Sequence, residues 1–279
     1  MKGVITRFAP SPTGHLHLGH AYAALYAYDL AMKNDGVFLL RFEDIDTTRI
    51  RKEYYQAIED DLEDLGIEWS KPVLRQLDRM ASYRQSLEKL KMLGVVYPCF
   101  CTRREIAVEV ANISNAPHGP EGALYPGTCR HLSLDEREEK IAQGVDHCWR
   151  FDSERAIAIT GKLTFTDGSG NITEVDPNLL GDVILARKDI STSYHLAVVV
   201  DDAFQKITDV SRGKDLLAST HVHRILQEIL GFTESTYHHH KLILDRNGKR
   251  LAKRDESMSI RSYIQSGKSL TNLRNDFFY

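Results

Sequence analysis

The sequence predicts an α/β protein: a parallel-sheet domain interrupted by a smaller inserted α/β subdomain. Strand and helix signals alternate through the first third, the pattern changes character between residues 98 and 187, and the first pattern resumes from Tyr194. Such alternation is the sequence form of parallel strands joined by crossover helices, while short strands separated by tight turns indicate a differently built insertion. The 279 residues suffice for one large α/β domain or two modest ones, each with its own core.

Residues 4–9 read as the first strand and 20–32 as an Ala/Leu/Tyr-rich helix. Residues 37–42 form a second apolar strand, and 51–65 a charged amphipathic helix with Ile58, Leu62 and Leu65 at helical spacing. A helix over 83–93 leads through Val95, Val96 and Tyr97 to a pair of cysteines, after which 112–127 is a Pro/Gly-containing loop. In the insertion, 148–151, 163–166 and 172–175 are short strands, with a turn at 167–170. Beyond it, 196–200 reads as a continuous apolar strand, 207–210 as another, and 216–230 as a helix stopped by Gly231. His238, His239 and His240 fall in a loop or at a strand edge.

A hydrophobic content of 42% is ordinary for a globular protein, and no apolar run approaches the roughly 20 residues of a membrane span. Met1 and Lys2 are followed directly by a strand rather than an apolar leader, so a cytoplasmic protein is expected. A net charge of -3 argues against coating nucleic acid by charge alone, but leaves room for a local basic surface such as Lys249, Arg250, Lys253 and Arg254. With nothing indicating export, the four cysteines suggest metal binding or burial rather than disulfides.

The segment Ala9-Pro10-Ser11-Pro12-Thr13-Gly14, followed by His17-Leu18-Gly19-His20, joins the first strand to the first helix. That location is the carboxyl end of a parallel strand, where ligands bind, and the helix N-terminus offers N–H groups to phosphate. Gly19 permits close approach of a nucleotide, and His17 and His20 can donate to phosphate oxygens as charge shifts at the α-phosphate. Two histidines at such spacing would more often be structural or solvent-facing; the surrounding Pro-Ser-Pro-Thr-Gly run makes that reading less attractive.

Residues 7–14, the His17-Leu18-Gly19-His20 signature and residues 40–46 (Leu-Arg-Phe-Glu-Asp-Ile-Asp) together resemble the glutamyl-tRNA synthetase family over most of the chain. The resemblance implies a Rossmann-like nucleotide-binding domain at 1–97 and 188–245, an inserted zinc-bearing acceptor-binding subdomain at 98–187, and a lysine-loop and C-terminal segment at 246–279. Arg250-Leu251-Ala252-Lys253-Arg254 matches the family's lysine loop with Lys253 retained and the usual serine replaced by Ala252. The implied ATP site is His17, Gly19, His20 and Lys253, with Mg²⁺ accompanying ATP. The implied L-glutamate site is Arg7 and Arg212 for the two carboxylates, in either assignment, Glu43 for the ammonium, the Tyr194 hydroxyl, and the backbone at Ala9 and Ser11. Two cations and one anion are what a selective glutamate pocket requires.

Cys99 and Cys101 stand too close in sequence for an easy mutual disulfide but suit one metal ion, and Tyr125 and Cys129 follow. This spacing resembles the structural zinc site of one branch of the family, which transfers glutamate to the queuosine base of tRNA(Asp); His118, His131 and Cys148 are alternative fourth ligands. Residues 194–202 and 212–216 point to the same branch. The chain stops at Tyr279, soon after the lysine loop, so the family's helical anticodon-binding region is expected to be missing. The resemblance thus implies a monomer whose partners are ATP, L-glutamate and tRNA(Asp) bearing queuosine, gripped by its anticodon arm. The alternatives are a truncated glutamyl-tRNA synthetase charging tRNA(Glu), a related nucleotidyltransferase acting on a small molecule, or a catalytically silent tRNA-binding protein.

Overall fold

The computed structural model describes residues 3–112, 118–119, 122–243, 259–267, 273 and 277. In chain order the elements are β1 (Ile5–Phe8), α1 (Leu18–Met32), β2 (Val37–Phe42), α2 (Glu53–Asp64), β3 (Ser70–Arg75), α3 (Met80–Met92) and β4 (Val96–Cys99). There follow α4 (Arg103–Asn112), β5 (His118–Gly119), β6 (Gly122–Ala123), α5 (Leu134–Ala142), β7 (Cys148–Phe151), α6 (Ser153–Thr160), β8 (Thr164–Thr166) and β9 (Ile172–Glu174). The chain continues with β10 (Ile184–Ala186), α7 (Tyr194–Phe204), β11 (Asp209–Gly213), α8 (Leu217–Leu230), β12 (Thr236–His240) and α9 (Ile260–Gln265). No described helix is long and apolar enough to cross a membrane.

Contacts divide the chain into two compact units, one comprising residues 1–78, 206–216 and 235–279, the other 79–205 and 217–234. In the first, β1, β2 and β3 form a parallel sheet in that order, and β11 pairs in parallel with β12. The approach to β11 is tied to β1: Ile5 N donates to Thr208 Oγ1 at 2.7 Å, and Thr208 N donates to Ile5 O at 3.0 Å. Helix α1 is rich in alanine, the best helix former, and buries Ala21, Ala24, Leu25, Ala27 and Ala31. Gly36 lets the chain turn from α1 into β2, since a Cβ there would lie 2.1 Å from Val4 O. Leu16, Leu25, Phe38, Leu40, Ile58 and Leu62 share the core with Ile260.

The core of this unit also holds a charge. Asp61, on the inner face of α2, is fully buried; its carboxylate accepts Leu16 N–H at 3.3 Å and Arg261 Nε–H at 2.7 Å. Leu16 O in turn accepts from Ile260 N at 3.0 Å, and His17 forms an antiparallel bridge with Ser259. Thus the backbone leading into α1 is fastened both to α2 and to the start of α9.

The second unit is assembled differently. Strands β4, β7 and β10 form an antiparallel sheet with β7 in the centre, and β8 with β9 makes the hairpin expected around the turn at 167–170. Helices α3, α7 and α8 pack on one another. Residues 196–200, expected as a strand, lie within α7. A short run of buried apolar residues fits either a strand or an enclosed helix turn, and β-branched Val198, Val199 and Val200 favour the strand only weakly. Tertiary pairing decides: the helix continues to Asp201, whose fully buried carboxylate accepts from Tyr83 Oη at 2.6 Å and Arg79 Nε at 3.0 Å.

Removing one partner of a buried ion pair leaves the other charge stranded, whereas an exposed pair contributes little. Arg261→Met is therefore expected to destabilise the protein by about 2 kcal/mol, at the modest end because Arg261 is partly exposed. Lys162→Ala, which breaks the exposed Lys162–Glu174 pair, should change stability by less than about 0.5 kcal/mol. Denaturant melts of both variants check the contrast.

Candidate functional site

The sequence-derived ATP and glutamate residues Arg7, Ala9, Ser11, His17, Gly19, His20, Glu43 and Arg212 all belong to the first compact unit. They stand where a parallel sheet exposes its carboxyl ends: Arg7 near the end of β1, Glu43 just after β2, Arg212 near the end of β11. Arg7 and Arg212 are almost completely buried, at 5% and 6% exposure. Arg7 Nη1 donates to Ser211 O at 3.1 Å, and the Arg212 guanidinium lies 5.2 Å from the Tyr237 ring centroid. Glu43 pairs with fully buried Arg41 at 3.4 Å. The loop carrying Ala9 and Ser11 is fixed by Glu43 N donating to Pro10 O and Arg51 N donating to Pro12 O, both at 3.1 Å. Behind it, buried Asp44 accepts from Tyr55 Oη at 2.7 Å and from Leu77 N at 2.9 Å.

The two histidines form a reciprocal cap. His17 is the N-cap of α1, and its Nδ1 accepts from Gly19 N at 3.1 Å and His20 N at 3.3 Å; His17 N donates back to His20 Nδ1 at 3.3 Å. The rings stack with centroids 3.7 Å apart. Because each Nδ1 accepts a backbone N–H, the proton of each neutral ring resides on Nε2. The cap thereby fixes the tautomer that makes both rings Nε2 donors. Gly19 has a second reason to be glycine: a Cβ there would lie 3.0 Å from His17 Cε1 and 3.1 Å from His17 Nδ1, against the capping ring.

His17, Gly19 and His20 line a cavity of about 140 Å³ together with Tyr22, Gly213, Asp215 and residues 240–243. His240, which the sequence alone places in a loop or at a strand edge, ends β12 and lines this cavity. Its Nδ1 lies 2.9 Å from Lys241 O and so must carry a proton, its ring meets Tyr22 edge-on at 5.1 Å, and burial holds its pKa below the usual histidine value. Only the parallel pairing of β12 with β11 could have placed it here. Tyr194 belongs to the other unit, as the first residue of α7, with its ring against His195 and His223. Lys253, with Arg250 and Ala252, lies outside the described residues.

A separate cluster lies in the second unit, where Cys99 at the end of β4, Cys101, and Cys129 in a helical turn bring their sulfurs within 4.8 Å of one another. Cys101 and Cys129 Sγ are 3.4 Å apart, and Tyr125 Oη lies 3.4 Å from Cys99 Sγ and 3.6 Å from Cys101 Sγ. The edge of a tetrahedron around zinc, with Zn–S near 2.3 Å, is about 3.8 Å, so these donors fit one four-coordinate ion. Backbone N–H groups support the set: Cys129 N donates to Tyr125 Oη at 2.9 Å and Phe100 N to Cys129 Sγ at 3.4 Å. Arg150 lies 3.8 Å over the Tyr125 ring. Hydrogen bonds from Cys129 and Cys148 push the Cys99 thiol far down, favouring thiolate. Cys148 is the cross-strand partner of Cys99 and shares this packing, but it is not among the three clustered sulfur donors.

The histidine cap yields a test that separates folding from chemistry. Asparagine is a good N-cap and alanine is not, so His17→Ala should cost about 1 kcal/mol of stability and His17→Asn only a few tenths. Gly19→Ala should also destabilise, because the capping ring must move; thermal and denaturant melts give the ranking.

Residues 3–276 match the family model described as tRNA synthetases class I (E and Q), catalytic domain. A glutamyl-Q tRNA(Asp) synthetase of Rhodobacter capsulatus is 45% identical over 97% of this chain and 98% of its own length. A glutamate–tRNA ligase of Aquifex aeolicus is 38% identical over 96% of this chain but 55% of its own length. The solved glutamate tRNA ligase of Elizabethkingia meningosepticum, in complex with its amino acid, superposes with a TM-score of 0.75 at 30% identity, covering 91% of this chain and 52% of that one. The chain thus spans about half the length of these two ligases. It belongs to the class I tRNA synthetases (E and Q) and is an aminoacyl-tRNA synthetase-like ligase carrying that family's catalytic domain.

Proposed function

We propose that the chain activates L-glutamate with ATP and transfers it to the queuosine base of tRNA(Asp), residues 1–97 and 188–245 being its Rossmann-like nucleotide-binding domain. The observation that carries the activation step is one compact unit that joins buried Arg7 and Arg212, the Glu43 carboxylate, and a tautomer-fixed histidine pair beside a cavity. The acceptor rests on the relatives named glutamyl-Q tRNA(Asp) synthetase, at 45% and 41% identity.

In this reading the glutamate α-carboxylate attacks the α-phosphorus of ATP, forming glutamyl-adenylate and releasing pyrophosphate; the queuosine hydroxyl then attacks the activated carbonyl and AMP leaves. Arg7 and Arg212 take the two carboxylates and Glu43 the ammonium. Glutamine would leave a buried guanidinium without its anion, and sites built around such a group reject the mismatch by roughly 10⁴ to 10⁵. The Nε2–H groups of His17 and His20 donate to phosphate oxygens, with Lys253 adding a positive charge as the pentacoordinate phosphorus forms. Mg²⁺ accompanying ATP would supply further positive charge to the phosphates.

The reading is checked by glutamate-dependent exchange of pyrophosphate into ATP and by labelled glutamate transfer. Exchange should occur with glutamate alone, and His17→Asn, though stable, should lower it by about 10². Label should enter tRNA(Asp) only when queuosine is present, and should survive enzymatic trimming of the 3′ end. Label entering unmodified tRNA(Glu) and lost on trimming would replace this reading with an ordinary synthetase; exchange with no acid would point to a silent tRNA-binding protein.

We further propose that Cys99, Cys101, Tyr125 and Cys129 hold one zinc ion that closes the inserted, acceptor-binding subdomain. With all four positions supplied by the protein the ion is structural, and its binding energy is folding energy. Elemental analysis should find about one zinc per chain, with Cys99→Ser and Cys129→Ser lowering both metal content and melting temperature. Cys148→Ser should leave metal content intact. Loss of metal in Cys148→Ser with retention in Tyr125→Phe would make Cys148 the fourth ligand.

A further inference from the structure

A cavity of about 410 Å³ opens within the second compact unit, and none of Cys99, Cys101, Tyr125 and Cys129 lines it. One wall is a single face of α3, on which Arg84, Leu87, Glu88 and Lys91 follow one another at helical spacing. The others come from the end of α5 and the turn after it, from His147 and Trp149 at β7, and from the segment after β10 that carries Arg187 and Lys188. Four Lys and Arg side chains line the space against two carboxylates, Glu88 and Asp146, a positive surplus in a chain whose formal net charge is -3.

The cations differ in how they are held. Lys91 pairs with Glu88 at 2.8 Å and lies 4.0 Å over the Trp149 ring, and Arg187 is bound to Asp189 through two hydrogen bonds of 2.9 and 2.6 Å. Arg84 and Lys188 make no hydrogen bond or ion pair among the described residues, and both are exposed on the rim. His147 meets Trp149 edge-on at 5.4 Å and adds ring surface to the floor. Two exposed cations that make no hydrogen bond or ion pair among the described residues, around an aromatic floor in a space large enough for one nucleotide, match how proteins hold an RNA chain: charge for the phosphate, an apolar surface for the nucleoside.

We infer that this cavity binds one phosphate and its nucleoside from the tRNA, with Arg84 and Lys188 on the phosphate and the Trp149–His147 floor against the nucleoside. The inference rests on the proposed tRNA substrate and assigns that polyanion a contact point. Such a contact is independent of sequence, so it strengthens binding of any tRNA.

The test is tRNA binding by the full chain, measured by filter retention over a range of salt. Arg84→Ala and Lys188→Ala should each weaken binding roughly fivefold and reduce the slope of log Kd against log salt by about 1, for cognate and non-cognate tRNA alike. Trp149→Phe should weaken binding less than either. Lys162→Ala removes one charge elsewhere in the same unit and should leave affinity and slope unchanged. Glutamate-dependent pyrophosphate exchange, which needs no tRNA in the proposed scheme, should be unaffected in all four variants. Wild-type affinity and slope in Arg84→Ala and Lys188→Ala, or an equal loss in Lys162→Ala, would overturn the inference. Reduced slopes in a protein with no glutamate-dependent exchange would uphold the cavity and sink the proposed catalysis instead.

Discussion

Burial of positive charge is the constraint around which the first unit is organised. Arg7, Arg41 and Arg212 are at most 6% exposed, and all stand toward the carboxyl ends of parallel strands. Removing a guanidinium from water costs several kcal/mol unless anions and carbonyl oxygens replace the lost hydration. Arg41 is met by Glu43, and Arg7 donates to the Ser211 carbonyl, which draws β1 and β11 together. Parallel pairing gathers the same ends of the strands, with their loops, within each of the two sheets, and the Arg7–Ser211 and Ile5–Thr208 bonds join β1 to β11 and its approach. Residues remote in sequence, such as Arg7 and Arg212, thereby enter a single electrostatic environment.

The histidine cap ties the proposed catalysis to folding at the level of individual atoms. A helix N-terminus has orphan N–H groups that some acceptor must satisfy, and the usual acceptor is a Ser, Thr, Asp or Asn oxygen. Here imidazole nitrogens take that work, and as a result each ring's proton is directed to the opposite edge. An oxygen cap would stabilise α1 comparably yet offer phosphate no N–H. That is why a residue type uncommon at this position is chemically sensible, and why Gly19 is constrained by its neighbour's ring as well as by any ligand.

Much of the architecture could be read from pattern because amphipathic helices and bounded apolar runs declare themselves: β2, α2, α3 and α8 stand where periodicity puts them, and α1 where its Ala/Leu/Tyr-rich composition does. The exceptions have physical causes. Residues 196–200 form a fully enclosed helix turn, and enclosure erases the polar face that would have marked the period. Strand β3 carries Ser70, Lys71 and Pro72, so its sequence resembles a loop and its pairing with β2 defines it. Among the candidate site residues, the motif histidines and the Cys99–Cys101 pair stand out by local spacing, whereas Cys129 reaches them only through the fold. His240 and Asp61 do not stand out either, since His240 reaches its cavity through strand pairing and Asp61 finds Arg261 only after the chain has folded back across 200 residues.

Buried carboxylates complete the electrostatic argument, because they mark which charges the fold has already balanced. Asp61 holds Leu16 N and Arg261, Asp44 holds Tyr55 and Leu77 N, and in the other unit Asp201 holds Tyr83 and Arg79. Each is a two-point pin joining elements distant in the chain, and replacing such a pair with apolar side chains could serve stability as well; what the pin adds is geometry. In the first unit the pins are Asp44 and Asp61, and the candidate glutamate residues Arg7, Arg212 and Glu43 lie in the same unit. A dicarboxylate amino acid brings two negative charges and one positive, the complement of two arginines and Glu43. These three groups belong to one compact unit, so in the proposed reading the substrate meets the same buried arginines that stand at the ends of the parallel strands.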